Sequence, residues 1–245
     1  MDIPSAPESG KTMDVPPADD LAVLAPMGRR RSAAEHAYET LREALISLAL
    51  PPGTVVSRAA IAMRLGVSQT PVREALIRLQ EDGLIAVVPH SATRVTKIDL
   101  ASAREASFLR LSVELEIVRR LAAAPDARLA ASLRAELARM REWRARGDQA
   151  EIAAADEAFH TALYAAAEVP GLRDLVRSRS VHLDRLRRLH LPSPGKVDAI
   201  LSDHEALAEA IIGGDADGAE RHLRRHLSGT FAMVEAIRAA SPDFF

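Results

Sequence analysis

Residues 65–84, with the sequence LGVSQTPVREALIRLQEDGL, decide the fold of the chain. The stretch opens on a glycine turn at Gly66 and places Ser68 at a helix N-cap. Pro71 follows in the first helical turn, where its missing N–H has no cost, and Gly83 ends the helix. One apolar face at helical spacing is formed by Val72, Ala75, Leu76 and Leu79. The polar side chains of this helix lie outside that apolar face.

A shorter helix is predicted just before the turn, over 58–65. Two short helices joined by a glycine-containing turn, the second over 69–82 with polar side chains at its start, form a helix-turn-helix. The second helix fits the major groove of B-DNA. Any two packed helices could give this pattern, but the period changes after it: strand-forming residues over 84–96, around a tip at 89–92, predict a β-wing.

Length and composition restrict the class of protein. A chain of 245 residues suggests one or two domains. Hydrophobic residues make up 48% of it and aromatic residues only 3%, so the core is expected to consist of Leu, Ala, Val and Ile. The absence of Cys excludes disulfides, thiolate metal sites and a Cys nucleophile. With no apolar run long enough for a bilayer and no signal pattern, a cytoplasmic protein without a membrane partner is expected.

Charge is distributed unevenly along the chain. The whole sequence has a net charge of −2, yet residues 28–98 contain ten Lys/Arg against six Asp/Glu, which gives this segment a charge of +4. The remainder is therefore acidic. This asymmetry favours a DNA-binding half joined to a domain of another kind.

The chain divides into three parts. Residues 1–31 contain five prolines and are predicted to be a disordered tail. Its last residues, Arg29–Arg31, are either a solvated charge run or a non-specific phosphate contact. Residues 32–98 form the predicted winged helix-turn-helix domain, with a first helix over 32–50.

Residues 99–241 show only helical periodicity, interrupted by Pro and Gly. Six helices are predicted, over 99–124, 127–146, 149–167, 171–191, 195–213 and 215–240. Short connections between them indicate an antiparallel bundle. The predicted fold class is therefore mainly α, with an N-terminal winged helix-turn-helix and a C-terminal all-α antiparallel helical bundle.

The segment from residue 37 to 99 resembles the winged-helix domain of the GntR family of bacterial transcription regulators. The matching pieces are Leu50-Pro51-Pro52-Gly53, Gly66-Val67-Ser68, Thr70-Pro71-Val72-Arg73-Glu74-Ala75-Leu76, Leu79 and Gly83-Leu84. The resemblance implies that the protein binds a double-stranded DNA operator as a homodimer. The candidate DNA-binding residues are Arg58, Ser68, Gln69, Thr70, Arg73, Arg78 and His90.

Two of these residues depart from the family pattern. Gln69 stands where Arg is frequent, and since Gln can read adenine where Arg reads guanine, the operator is expected to differ there. Arg58 stands where the family commonly has an acid. It either adds a phosphate contact or balances local charge.

Metal-binding residue types occur in the helical half. Asp156 and His160 are four apart and so lie on one face of a helix, one turn from each other. With His204 and His226 they would make a carboxylate and three imidazoles, a set suited to Zn, Ni or Mn. Spacing alone does not select these four, because the other available histidines are His182, His190 and His222.

The helical half, residues 99–231, resembles the FCD ligand-binding domain of the FadR-type subfamily of GntR regulators. The matching pieces are Arg110 with Glu114, Asp156-x-x-Phe159-His160, Asp203-His204-Glu205, Gly214-Asp215, Ala219 and His226-Leu227. The resemblance implies a divalent metal held by Asp156, His160, His204 and His226. His222, one turn before the last, is not at a family ligand position.

The same resemblance implies a small carboxylate effector at the metal and repression that the effector relieves. Arg110 is the candidate effector-binding residue; the alternative is a helix-surface Arg paired with Glu114. Two other functions stay open at this point. The helical domain could be a metal-dependent enzyme, although no general base or nucleophile motif supports this, or the metal could be purely structural and the regulator without an effector.

Overall fold

The computed structural model describes residues 32–87 and 92–245. The predicted tail over 1–31, with its Arg29–Arg31 run, and His90, in the predicted wing tip, lie outside the described residues. Residues 33–245 form one unit by their contacts. In the described ranges, no helix combines the length and the apolar character that crossing a bilayer requires.

The N-terminal half contains the predicted helix-turn-helix. Its helices are α1 (Ala33–Ile46), α2 (Arg58–Leu65) and α3 (Gln69–Glu81). The predicted bounds of α2 are correct, and α3 ends one residue earlier than predicted. The first helix ends well before Leu50, because Leu48 has a left-handed backbone with a φ of 66° that a helix cannot contain.

Two glycines and a serine delimit these helices. Gly66 closes α2 with a left-handed φ of 66°, which only glycine adopts without strain. Gly83, with a φ of 77°, and Leu84 donate their backbone N–H groups to the carbonyls of Gln80 and Leu79, so α3 ends in a Schellman motif. Ser68 occupies the predicted N-cap position of α3, but its side chain makes no capping hydrogen bond.

The predicted wing is present and belongs to a three-stranded antiparallel sheet. The strands are β1 (Val55–Val56), β2 (Ile85–Val87) and β3 (Thr93–Val95), in the order β1-β3-β2. Strand β1 was not predicted, because two residues are too short to show a strand period. In the sheet, Thr93 of β3 faces Val56 on one side and Val87 on the other.

The C-terminal half is all-helical in its described residues, as predicted. Its helices are α4 (Leu100–Ala123), α5 (Ala127–Arg146), α6 (Gln149–Ala166), α7 (Pro170–Arg179), α8 (Val181–His190), α9 (Lys196–Ile212), α10 (Ala216–Ala232) and α11 (Val234–Ala240). Two predicted helices are each divided, at Ser180 and at Met233. The Ser180 hydroxyl donates to the Val176 carbonyl at 2.7 Å and competes with the backbone ladder at this break.

The main core of the helical half aligns the helices that carry the candidate ligands. Phe159 and Leu163 of α6, Leu207 of α9 and Leu223 of α10 are fully buried in one hydrophobic cluster. Burial of these apolar faces keeps α6, α9 and α10 in fixed rotation about their axes. Polar residues at neighbouring positions therefore point to a common place.

Helix α8 joins the two halves. Val181, at its start, belongs to the hydrophobic cluster of the winged-helix half, together with Leu45 and Leu79. Arg185, which is completely buried, donates to the Thr96 carbonyl at 2.7 Å. Burial lowers the pKa of Arg185 to about 10, so the guanidinium stays charged at neutral pH. His182 Nδ1 accepts from the backbone N–H of Asp99 at 3.2 Å.

A substitution at Val181 tests this junction. We expect Val181→Ala to reduce the free energy of unfolding by about 1–3 kcal/mol, because it removes buried methyl groups and leaves a cavity between α8 and the winged helix. Chemical denaturation monitored by circular dichroism measures the change. Val55→Ala is the matched control, since Val55 is half exposed, and it should shift stability by less than about 0.5 kcal/mol. Equal effects of the two substitutions would contradict the packing described for α8.

Candidate metal centre and nucleic-acid interface

Four side chains from three helices converge in the helical half. Asp156 and His160 project from α6, one turn apart, His204 from α9 and His226 from α10. All four are at least nine-tenths buried. The Nε2 atom of His160 lies 3.2 Å from Nε2 of His226 and 3.3 Å from Nε2 of His204. One oxygen of Asp156, Oδ1, lies 3.5 Å from Nε2 of His204 and 3.8 Å from Nε2 of His226.

The far nitrogens of two imidazoles indicate which tautomer is present. Nδ1 of His204 lies 2.8 Å from the Ile200 carbonyl, an acceptor, so this nitrogen carries the proton. Nδ1 of His160 makes a close, bent contact of 2.8 Å with the Glu114 carboxylate, which also favours the proton on Nδ1. In both rings Nε2 is then an unprotonated lone-pair donor to a cation.

This arrangement fits a divalent metal ion. Two imidazole lone pairs and a carboxylate oxygen face one another, and Asp156 Oδ1 has no hydrogen-bond donor. Buried acceptors that face each other repel unless a cation lies between them. At metal–ligand distances of about 2.1 Å, ligand atoms at right angles lie about 3.0 Å apart and those at the tetrahedral angle about 3.4 Å. The observed separations are close to this range, and three imidazoles with a carboxylate suit Zn, Ni or Mn.

The protonation states also suit metal ligation. Burial lowers the pKa of His204 to about 4 and places the pKa of His226 well below its usual value. Burial likewise lowers the pKa of His160. Burial alone would raise the pKa of Asp156, but the Arg187 guanidinium and the three neighbouring imidazoles together outweigh it and hold this pKa well below the usual range. At neutral pH the cluster is thus three neutral imidazoles and one carboxylate.

Arg187 was not among the predicted site residues. Its guanidinium pairs with Asp156 Oδ2 and leaves Oδ1 directed at the imidazoles. The sequence shows three arginines close together on α8, and helical periodicity alone does not tell which of them points inward. The structure separates them: Arg187 contacts Asp156, Arg188 lines an adjacent cavity and Arg185 contacts the winged helix.

The structure places Arg110 in the interior of the helical half, paired with Glu114. Its Nε donates to Glu114 Oε1 at 2.8 Å, as the i,i+4 pairing anticipated. The pair is not on the helix surface, since Arg110 is only 4% exposed and Glu114 is fully buried. Moreover, Arg110 Nη2 is buried without a hydrogen-bond partner, and the side chain lines a cavity of about 320 Å³ beside Asp156 and His226. An unpartnered buried donor at a cavity wall is suited to an anionic ligand.

The other histidines stand apart from this cluster in the described residues. His182 is bonded to the linker before α4, and His190 Nδ1 lies 3.3 Å from the Thr230 hydroxyl. His222 is half-buried, one turn before His226, and is not one of the converging ligands.

The start of α3 presents polar side chains to solvent. Ser68, Gln69, Thr70 and Arg73 are all exposed. The Ser68 hydroxyl is free of a capping role. Arg58, at the start of α2, donates from Nε to Gln69 Oε1 at 2.9 Å, so the amide oxygen of Gln69 is engaged in this structure.

Arg78 makes a contact within the protein. Its guanidinium lies over the ring of Tyr38 on α1, with Cζ 3.8 Å from the ring centroid, which is a cation–π contact. The Tyr38 hydroxyl donates to Asp82 at 2.6 Å. Arg78 is exposed as well, so it joins α3 to α1 whatever its role at DNA.

Comparison with known proteins agrees with this architecture. The chain matches the family described as "Bacterial regulatory proteins, gntR family" over residues 33–95 and the FCD domain over residues 105–229. The chain belongs to the GntR family of bacterial regulatory proteins. The FCD match includes all four converging ligands and Arg110. Since the family and the relatives are transcriptional regulators, the alternative of a metal-dependent enzyme is set aside.

Relatives and a solved structure cover most of this GntR-family chain. It is 36% identical over 208 residues to an HTH-type transcriptional regulator in an unstable DNA locus of Streptomyces ambofaciens, covering 85% of this chain and 87% of that protein. It is 29% identical to the HTH-type transcriptional repressor RspR of Escherichia coli K12, covering 85% and 91%. The structure of Escherichia coli McbR/YncC superposes with a TM-score of 0.72 at 23% identity, over 84% of this chain and 98% of that one. That identity shows a shared fold.

Substitution of Glu114 tests whether its carboxylate orients the His160 ring for metal binding. We expect Glu114→Gln to weaken Zn affinity about 10–100-fold, because His160 Nδ1 loses the carboxylate that orients it and keeps its proton. Competition with a chromophoric chelator measures the affinity of the full chain. Glu116→Gln, on the exposed face of the same helix, is the control and should leave the affinity unchanged. Unchanged affinity in Glu114→Gln would show that the His160 tautomer does not depend on this carboxylate.

Proposed function

We propose that this GntR-family protein is a FadR-type, metabolite-responsive repressor, released from DNA by a small organic acid bound at a divalent metal. In this proposal residues 32–98 bind DNA, and residues 99–241 bind the metal and effector and form the homodimer, in the cytoplasm. The observation that carries it is the buried set of converging ligands beside a cavity lined by Arg110. The relative RspR is named a repressor, which supports repression as the output.

For DNA, we propose that two copies of the winged helix contact a near-palindromic operator. The exposed start of α3 supplies Gln69, Thr70 and Arg73 to base edges or nearby phosphates. Ser68 and Arg78 contact phosphate, Arg58 either adds a contact or holds Gln69, and His90, in the predicted wing tip, contacts DNA.

For the effector, the proposed metal ligands are Asp156, His160, His204 and His226. A bound Zn, Ni or Mn ion would supply positive charge and open coordination positions for a carboxylate or hydroxyl oxygen. Arg110 would donate to the acid from its free Nη2. The effector acts by preferring one arrangement of the dimer over the other, and a tenfold preference corresponds to about 1.4 kcal/mol.

The DNA-binding part is tested at Arg73. A preferred duplex is first selected from a random-sequence pool with the full chain, and affinity is then measured by fluorescence anisotropy at several salt concentrations. We expect Arg73→Ala to weaken binding by about 1–3 kcal/mol, because Arg73 is exposed on the proposed reading face. Arg104→Ala, an exposed arginine on α4, is the control. Equal DNA affinities of the two variants would show that Arg73 is not part of the DNA-binding surface.

The sensor part is tested by thermal stability. We expect Zn, Ni or Mn to raise the unfolding midpoint of metal-stripped protein, and one class among sugar acids, hydroxy acids and dicarboxylates to raise it further, as mass action requires. His160→Ala should abolish both shifts, while His222→Ala, one turn from His226, should retain them. A metal shift with no acid effect would favour a purely structural metal. No shift with any metal would refute the site.

A further inference from the structure

The cavity beside the metal ligands is shared by the two halves of the chain. Its wall includes Asp156 and His226 from the cluster, and also Arg42, Glu43 and Ile46 from α1 of the winged helix. Its volume of about 320 Å³ lies at the lower end of the range for small-molecule sites, about 300–1,000 Å³. A ligand that fills it therefore contacts the DNA-binding half directly.

Positive charge exceeds negative charge along this wall. Six cationic side chains line it, Arg42, Arg110, Arg177, Arg187, Arg188 and Lys196, against four carboxylates, Glu43, Asp156, Glu157 and Asp184. Arg187 pairs with Asp156 and Asp184, and Glu157 pairs with Arg173. Among the described residues, no carboxylate lies within 4.0 Å of the charged nitrogens of Arg42, Arg177, Arg188 or Lys196. The cavity wall thus holds more cationic charge than its own acids neutralise.

Two of these cations, Arg110 and Arg42, lie on different domains. Arg110 is next to the metal ligands and has one buried, unpartnered nitrogen. Arg42 projects from α1, and its Nη2 donates at 3.3 Å to the carbonyl of Arg177, near the end of α7. Asp184 also lines the wall, where Arg187 bridges it to Asp156. The wall therefore offers one cation beside the metal ligands and another on the winged helix.

We propose that the cavity binds a small acid with two anionic groups, one at the metal ligands and Arg110 and the other at Arg42 of the winged helix, so that the effector bridges the two domains. This inference rests on the proposed effector site and adds a second binding point, on the DNA-binding domain. The ligand class is a dicarboxylate or aldarate rather than a monocarboxylate. A monocarboxylate reaches the first point and leaves Arg42 unpaired.

A ligand held by Arg42 acts close to the recognition helix. Tyr38 lies one turn before Arg42 on α1, and the guanidinium of Arg78 from α3 lies over its ring. The Tyr38 hydroxyl is bonded to Asp82 at the end of α3. A shift of α1 toward the bound acid therefore moves α3 through packed contacts, with no long relay through the bundle.

The test compares matched acids on the Zn-loaded full chain by isothermal titration calorimetry. The pairs are L-lactate with L-malate, and D-gluconate with D-glucarate, which differ by one carboxylate. We expect at least one diacid to bind ten or more times tighter than its monoacid. Arg42→Gln should weaken that diacid about tenfold and change monoacid affinity less than twofold, whereas Arg42→Lys should retain most of the preference. Arg104→Gln is the surface control and should behave as wild type.

The outcomes separate the two proposals. If the wild-type chain binds monoacid and diacid equally, the bridging inference is wrong whether or not any variant folds, while acid binding itself upholds the proposed sensor. If Arg42→Gln weakens both members of a pair equally, Arg42 does not recognise the second group and the inference is again wrong. If the Zn-loaded wild type binds none of the four acids, the bridging inference is wrong, while the proposed sensor is decided separately by the metal and acid shifts of the thermal-stability test.

Discussion

Buried acceptors that face one another are the constraint on which the helical half depends. The Nε2 lone pairs of His160 and His204 lie 3.3 Å apart, the free oxygen of Asp156 lies 3.5 Å from His204 Nε2, and no hydrogen-bond donor reaches that oxygen. Such a group is unfavourable in a dry core unless a cation balances it. The surroundings maintain the arrangement: Glu114 and the Ile200 carbonyl hold the ring protons outward, and Arg187 occupies the other oxygen of Asp156.

Helix α8 connects this constraint to the DNA-binding half. On one face Arg187 pairs with Asp156, and on another face Val181 packs into the core of the winged helix. Between them, buried Arg185 bonds the Thr96 carbonyl, and the Thr96 hydroxyl in turn donates to the carbonyl of Gly83 at 2.7 Å, next to the end of α3. A rigid helix with both sets of contacts transmits a displacement at one face to the other, because packed cores do not deform continuously.

Much of the fold was predictable because it rests on local chemistry. The glycine turn, the N-cap position at Ser68 and the helix end at Gly83 involve residues within one or two turns of each other, and they are found as predicted. The break at Ser180 was missed, since a serine inside a helical period is no strong stop signal and its bond to Val176 depends on a rotamer. The strand β1 was missed because it pairs with β3, about forty residues away.

The sequence by itself determined the winged helix, the all-helical second half and the pairing of Asp156 with His160, since 3.6-residue periodicity places side chains four apart on one face. Helical spacing did not distinguish His204 and His226 from His182, His190 and His222 as metal ligands. It also did not show whether Arg110 is exposed or buried. Only the tertiary structure decided these, because the burial of α6, α9 and α10 against one core sets which side chains converge. The same packing places Arg42 of α1 at the cavity beside the ligands. No local pattern specifies that approach, which depends on how two separately patterned domains meet.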